Sequence, residues 1–170
     1  MTEDVGAGRP AMILVGGPQG SGKSTFARRH FRPTAIVSSD RCRAMIADRE
    51  SDISVSGEAF ELFHFIIGLR LRHRRLTVAD STAVRREARR DLLQIARRHG
   101  VPAVLILFDV AEERAYAHDT GRARRVGRPV IREQRERLQE ALRTVHEEGF
   151  DRVYILGEDE VAKGMVTVKE

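Results

Sequence analysis

The run Gly17-Pro-Gln-Gly-Ser-Gly22-Lys23-Ser24, followed by Thr25, gathers glycines, a lysine and hydroxyls into one short stretch. It fits the pattern G-x-x-x-x-G-K-[ST] at every fixed position. Glycines let successive backbone N–H groups turn toward one centre, which makes a cradle for an anion. A helix opening at Lys23 would aim its positive end at the same charge. In that arrangement Lys23 reaches the β- and γ-phosphates of a nucleoside triphosphate, and the Ser24 hydroxyl ligates Mg²⁺. The expected nucleotide-binding set is Gly17, Pro18, Gln19, Gly20, Ser21, Gly22, Lys23, Ser24 and Thr25, with Ser24 as its metal ligand. An apolar strand before the run and a helical pattern after it argue against a plain glycine-rich turn.

Such a cradle specifies a nucleotide, not a reaction. A guanine-reading Asn-Lys-x-Asp is absent from the sequence. The nearest approach to the metal-binding strand of an ATPase is Leu76-Thr-Val-Ala-Asp80, which is short and followed by Ser81-Thr82. What is left is a small phosphotransferase. Asp40 follows Ile36-Val-Ser-Ser39, at the carboxyl end of a strand, where open α/β sheets line their ligand crevice. A carboxylate there could accept the proton of an attacking hydroxyl. It could equally cap the helix that starts beside it. Arg43 lies three residues on, so it shares a helical face with Asp40 and suits an acceptor that carries its own phosphate. The arginine-rich stretch 117–128 falls between a central strand and the last long helix, the place of an arginine-bearing lid.

These residues need a scaffold. Ala11-Met-Ile-Leu-Val15, Ala35-Ile-Val37, Leu76-Thr-Val-Ala79, residues 103–108 and Arg152-Val-Tyr-Ile-Leu156 read as short buried strands. Helices are predicted over 23–30 and 57–72, the second with Phe60, Phe63, Ile67 and Leu71 on one face. A further helix carries Val84, Ala88, Leu92 and Ile95 and stops at Gly100. Another opens at Pro129 and closes at Gly149. Residues 165–168 suggest an additional strand. Alternating strands and helices, with strands apolar throughout, predict an α/β fold: a mainly parallel sheet with helices on both faces.

The chain has 170 residues, the size of one domain, and an ordinary 41% of hydrophobic residues. No apolar run reaches the roughly 18 residues of a membrane span. Residues 1–10 lack a signal-peptide pattern, and the lone Cys42 has no partner for an internal disulfide, so a cytoplasmic location is expected. The formal charge is +5, carried almost wholly by arginine; the only lysines are Lys23, Lys163 and Lys169. An arginine-rich surface suits a polyanionic substrate, although a general preference for arginine gives the same counts. The cluster Arg70, Arg72, Arg74 and Arg75 reads either as a contact for a nucleic-acid backbone or as a solvated helix end. His64 reads as a core or cleft-edge histidine.

Taken in order, Gly-Pro-Gln-Gly-Ser-Gly-Lys-Ser-Thr, Ser-Ser-Asp40-Arg-Cys-Arg43, Thr-Val-Ala-Asp80-Ser-Thr82, Arg122-Ala-Arg-Arg125 and Gly149-Phe-Asp-Arg-Val-Tyr-Ile-Leu156 resemble the polynucleotide 5′-kinase domain of bacterial polynucleotide kinase-phosphatase, an RNA-repair enzyme. The resemblance spans residues 11–156. It implies a P-loop kinase fold, with residues 1–170 as one kinase domain of the kind that larger repair proteins carry beside phosphatase and ligase-like domains. It implies that ATP or another NTP is the donor, with Mg²⁺, and that the acceptors are 5′-OH ends of RNA or DNA. It implies no membrane partner. Residue by residue, Lys23 and Ser24 match the groups that contact phosphates and metal. Asp40 matches the general base for the 5′-hydroxyl, and Arg43 the arginine that holds the acceptor's 3′-phosphate. Asp80 matches the aspartate that orients that arginine through an ion pair. Arg122 and Arg125 match lid arginines that clamp the donor phosphates. Two positions depart from the pattern: His118 stands where a further lid arginine is usual, and Ala83 where Asp-Ala-Thr-Asn ends in asparagine. A small-metabolite or antibiotic kinase is the second reading, and a non-catalytic nucleotide-binding module the third.

Overall fold

The computed structural model describes residues 10–121 and 125–163; Arg122 and the suggested strand at 165–168 lie outside them. In chain order the elements are β1 (Met12–Gly16), α1 (Lys23–His30), β2 (Ile36–Ser38), α2 (Ser39–Ala47), α3 (Ser56–Arg72), β3 (Thr77–Asp80), α4 (Arg86–Arg98), β4 (Ala103–Phe108), α5 (Glu112–Thr120), α6 (Arg128–Thr144), β5 (Arg152–Leu156) and α7 (Glu158–Lys163). The five strands form one sheet in the order β2-β3-β1-β4-β5. Each neighbouring pair is parallel, with Met12 opposite both Thr77 and Ala103. All strands therefore end at the same edge, where Gly16, Ser38 and Asp80 come together.

Strand periodicity sorts β1 between two cores. Met12 and Leu14 join Phe63, Ile67 and Leu71 of α3, Leu92 and Ala96 of α4 and Leu138 of α6. Ile13 and Val15 join Phe26 and Ala27 of α1 on the other face. Burial on both faces explains why β1, β3 and β4 read as continuous apolar runs. The expected architecture is present, with the five strands where the sequence predicts them.

Two helices are unforeseen. α5 presents few apolar side chains, chiefly Ala115 and Tyr116, and so leaves little periodic signal. Because it runs to Thr120, the first part of the expected 117–128 lid is helical. α7 is a short acidic helix after β5. The helix beside Asp40 is α2, and its cap is Ser38, whose Oγ accepts from Arg41 N at 3.3 Å. Asp40 stands inside the first turn, so the capping reading of this carboxylate is corrected.

Candidate active site

β1 delivers the chain to the sheet edge, and the loop after it turns through left-handed conformations at Gly20 (φ 80°) and Gly22 (φ 97°). Space as well as conformation demands glycine at Gly20: a Cβ there would lie 2.1 Å from the Ala115 carbonyl oxygen of α5. Gly17 N–H donates to Thr82 O at 2.7 Å, which ties the cradle to the loop after β3. Gly22 caps α1 without a side-chain hydrogen bond, and the first turn of α1 holds no acid of its own, so the positive end of the helix faces the cradle. Lys23 is buried and donates from Nζ to Pro18 O at 2.8 Å, folded back over its own loop. Ser21 Oγ is buried with no hydrogen-bond partner. A buried hydroxyl without a partner, at the start of a helix whose own first turn holds no acid, is a feature a phosphate chain would satisfy.

At the end of β3, Asp80 accepts from the Ser24 hydroxyl, Oγ to Oδ2 at 2.7 Å. Burial pushes its carboxyl above the ordinary carboxylate range, against the pull of Lys23 and Ser24, while Asp40 adds a smaller push upward. A hydroxyl beside a buried carboxylate that favours a nearby cation fits Mg²⁺, which takes one or two protein oxygens and fills its shell with phosphates and water. Ser24 and Asp80 are the residues that would hold it.

The opposite wall comes from α2. Arg43, only 7% exposed, donates from one guanidinium nitrogen to Asp40 Oδ1 at 2.7 Å and to Glu50 O at 3.0 Å. Its Nε is buried without a partner. The pairing differs from the expected one: Arg43 meets Asp40, and Asp80 meets Ser24. The reason is topology: α1, which carries Ser24, follows β1, the strand beside β3 and its terminal Asp80, while the i, i+3 spacing folds Arg43 back onto Asp40.

The third side is the lid region. Arg125 lines the cavity. Asp119, fully buried, accepts from Val126 N–H and Gly127 N–H and closes the loop between α5 and α6. His118 Nδ1 lies 3.0 Å from Gly20 O, a contact only a protonated Nδ1 satisfies. Gln134 of α6 accepts the Gln19 N–H at 2.7 Å. The crest of the cradle is thus held by both helices that flank the lid. Neither His118 nor Gln134 belongs to the motif, and no spacing rule links residues 115 apart, so the sequence carries no signal for the Gln134 contact. Ala83 adopts φ 44°, a left-handed conformation that asparagine tolerates far better than alanine.

These walls enclose one cavity of about 880 Å³, lined among others by Lys23, Ser24, Asp40, Arg43, Asp80 and Arg125. Of the described residues in the expected site, all but Gly17, Pro18 and Ser21 line it. His64 is absent from that lining: burial beside Phe60 and Phe63 lowers its pKa, with Asp91 partly opposing, as suits a cleft-edge histidine.

The AAA domain family model AAA_33 matches residues 12–145. The chain belongs to that family. Among solved structures, this AAA domain has the fold of the Pnkp1/Rnl/Hen1 RNA repair complex, with TM-score 0.70, 17% identity, 85% of this chain and 49% of that chain. The domain therefore spans about half the length of that relative. It also has the fold of AvrRxo1-ORF1:AvrRxo1-ORF2 with ATP, with TM-score 0.65, 17% identity, 88% of this chain and 55% of that one. A gluconokinase from Sinorhizobium meliloti 1021 matches with TM-score 0.56, 21% identity, 91% of this chain and 86% of that one. No curated protein matches. The fold is a P-loop kinase-like α/β fold.

Proposed function

We propose that this AAA domain is an NTP-dependent polynucleotide 5′-hydroxyl kinase. The observation that carries the reading is a single cavity with a phosphate cradle on one wall and the Asp40–Arg43 pair on another. Donor and acceptor subsites of a direct phosphoryl transfer require that arrangement.

In this reading Lys23 and the amides of the cradle bind the phosphates of ATP, and Arg125 and Arg122 reach them from the lid. Mg²⁺, held by Ser24 and Asp80, would neutralise part of the phosphate charge. Asp40 accepts the proton of the acceptor's 5′-hydroxyl as its oxygen bonds to the γ-phosphorus. The bond from that phosphorus to the β–γ bridging oxygen breaks, and ADP leaves. Arg43 orients the base through the 2.7 Å pair and keeps Nε for a phosphate of the acceptor strand. The domain would work alone or beside other repair domains. A metabolite kinase is the second reading, and the gluconokinase likeness is what favours it.

The experiment is label transfer from γ-labelled ATP with Mg²⁺ to 5′-OH RNA and DNA oligonucleotides, with gluconate and related polyols in parallel. Transfer to the oligonucleotides is expected; transfer to the polyols alone would overturn the proposal. Asp40→Asn should lower kcat by roughly 10²–10⁴-fold while ATP affinity survives. An unchanged kcat would remove Asp40 from the role of base.

A further inference from the structure

The edge of the sheet opposite the site carries a second feature. α3 and α4 lie on one face and both end there, in the turns that lead into β3 and β4. Arg72, His73, Arg74 and Arg75 in the first turn, and Arg97 and Arg98 in the second, are all exposed. The turns touch: Arg74 donates to His99 O at 3.2 Å. Burial lowers the pKa of neighbouring Arg70, and the charge of Arg75 adds to that.

Many of the arginines elsewhere are matched by acids. Arg128 and Arg132 meet Glu112, Arg135 meets Asp109, Arg137 meets Glu133, and Arg89 meets Glu148. In the basic patch only Arg97 has a carboxylate, Asp151. Among the described residues, no acid pairs with Arg72, Arg74, Arg75 or Arg98.

Helix dipoles explain part of this, since cations suit helix C-termini. They do not explain Arg74. Both helices end in the same cap. In α4, Gly100 N–H donates to Arg97 O and Val101 N–H to Ala96 O, with Gly100 at φ 58°. In α3, Arg74 N–H donates to Leu71 O and Arg75 N–H to Arg70 O, with Arg74 at φ 56°. This cap calls for glycine at the left-handed position. One helix has it, and the other holds an arginine in a conformation that costs a non-glycine residue stability. An outlier of this kind, on a cation with no carboxylate beside it, is a reason to look for a role of its side chain.

We propose that this edge is a second contact surface for the phosphate backbone of the acceptor polynucleotide. The inference rests on the polynucleotide reading of the active site. The sheet separates the two by about 20 Å, six residues at ~3.3 Å each. A stacked strand advances ~3.4 Å per nucleotide, so an acceptor of roughly ten nucleotides or more can reach both while a tetramer reaches only the site.

The test compares 5′-OH RNA 20-mers and tetramers on the full chain, using fluorescence anisotropy without ATP and label transfer with it. In R74E/R75E the 20-mer should bind at least ~10-fold more weakly, with a shallower dependence of log K on log salt. Tetramer phosphorylation should be unchanged. Arg74→Gly removes the cation but installs the preferred cap, so it should melt higher than the parent and still bind the 20-mer more weakly. Unchanged 20-mer affinity in these variants, or no 20-mer binding by the parent, overturns the proposal. If the patch variants weaken binding but no oligonucleotide is phosphorylated, the kinase reading fails and the surface stands. If 20-mer and tetramer are phosphorylated with equal KM in parent and variant, the surface fails and the kinase reading stands.

Discussion

Asp80 is the residue on which stability and proposed chemistry pull apart. Its carboxylate is buried, and burial raises its pKa. An unfolded chain ionises an aspartate near pH ~4, whereas the native state holds this proton to higher pH. In that interval the folded form binds more protons, so stability falls as pH rises and stays lower above it. Asp80→Asn removes the dependence. Without nucleotide, the variant should melt above the parent at pH 7.5, and the two should converge toward pH 4. It should also lose the stabilisation that Mg²⁺ and ATP together give the parent. Thermal melts at two pH values, with and without Mg·ATP, read both effects. The sequence identifies Asp80 as a site residue, yet its partner is Ser24, 56 positions away, and only the sheet topology reveals that.

At the scale of elements, Arg89 connects three segments around the site. Fully buried on α4, it holds Glu148 through two nitrogens at 2.8 and 2.6 Å, and donates to Ala83 O and Val84 O at 2.9 and 2.8 Å. The two carbonyls belong to the loop whose Thr82 O takes the Gly17 amide, so this arginine braces the floor of the cradle and fixes the strained Ala83. Arg89→Met leaves Glu148 charged, buried and unpaired, and should cost about 3–5 kcal/mol. Adding Glu148→Leu should recover part of that loss, although the two carbonyls stay unsatisfied; denaturant unfolding measures both. Nothing in the sequence distinguishes Arg89 from its neighbours Arg85, Arg86 and Arg90. The strands were legible for a physical reason: in a doubly covered sheet, burial on both faces writes continuous apolar runs such as Val104-Leu-Ile-Leu-Phe108. α5 was not, because its packing runs through Ala115 against the backbone of Gly20 instead of through an apolar stripe.

Across the whole molecule, the phosphate cradle is held from a distance. Gln134 spends its side-chain carbonyl on the Gln19 amide, and His118 reaches Gly20 O. Losing one such hydrogen bond costs about 1 kcal/mol. Gln134→Leu should therefore weaken ATP binding roughly fivefold, with little change in melting temperature without nucleotide. Calorimetric titration checks it, and an unchanged Kd would show that the crest holds its shape unaided. No helix among the described residues is long and apolar enough to cross a membrane.

The same clasp has a consequence for the order in which the protein is made. The motif from Gly17 to Thr25 leaves the ribosome early, but the side chains that hold its crest come with α5 and α6, about a hundred residues later. β1 also lies between β3 and β4, so it has no place in the sheet until both have been synthesised. A nascent chain carries the full phosphate-binding sequence long before it can bind a phosphate. Nucleotide can therefore stabilise this domain fully only once α6 has been made, as a late ligand of a nearly finished fold.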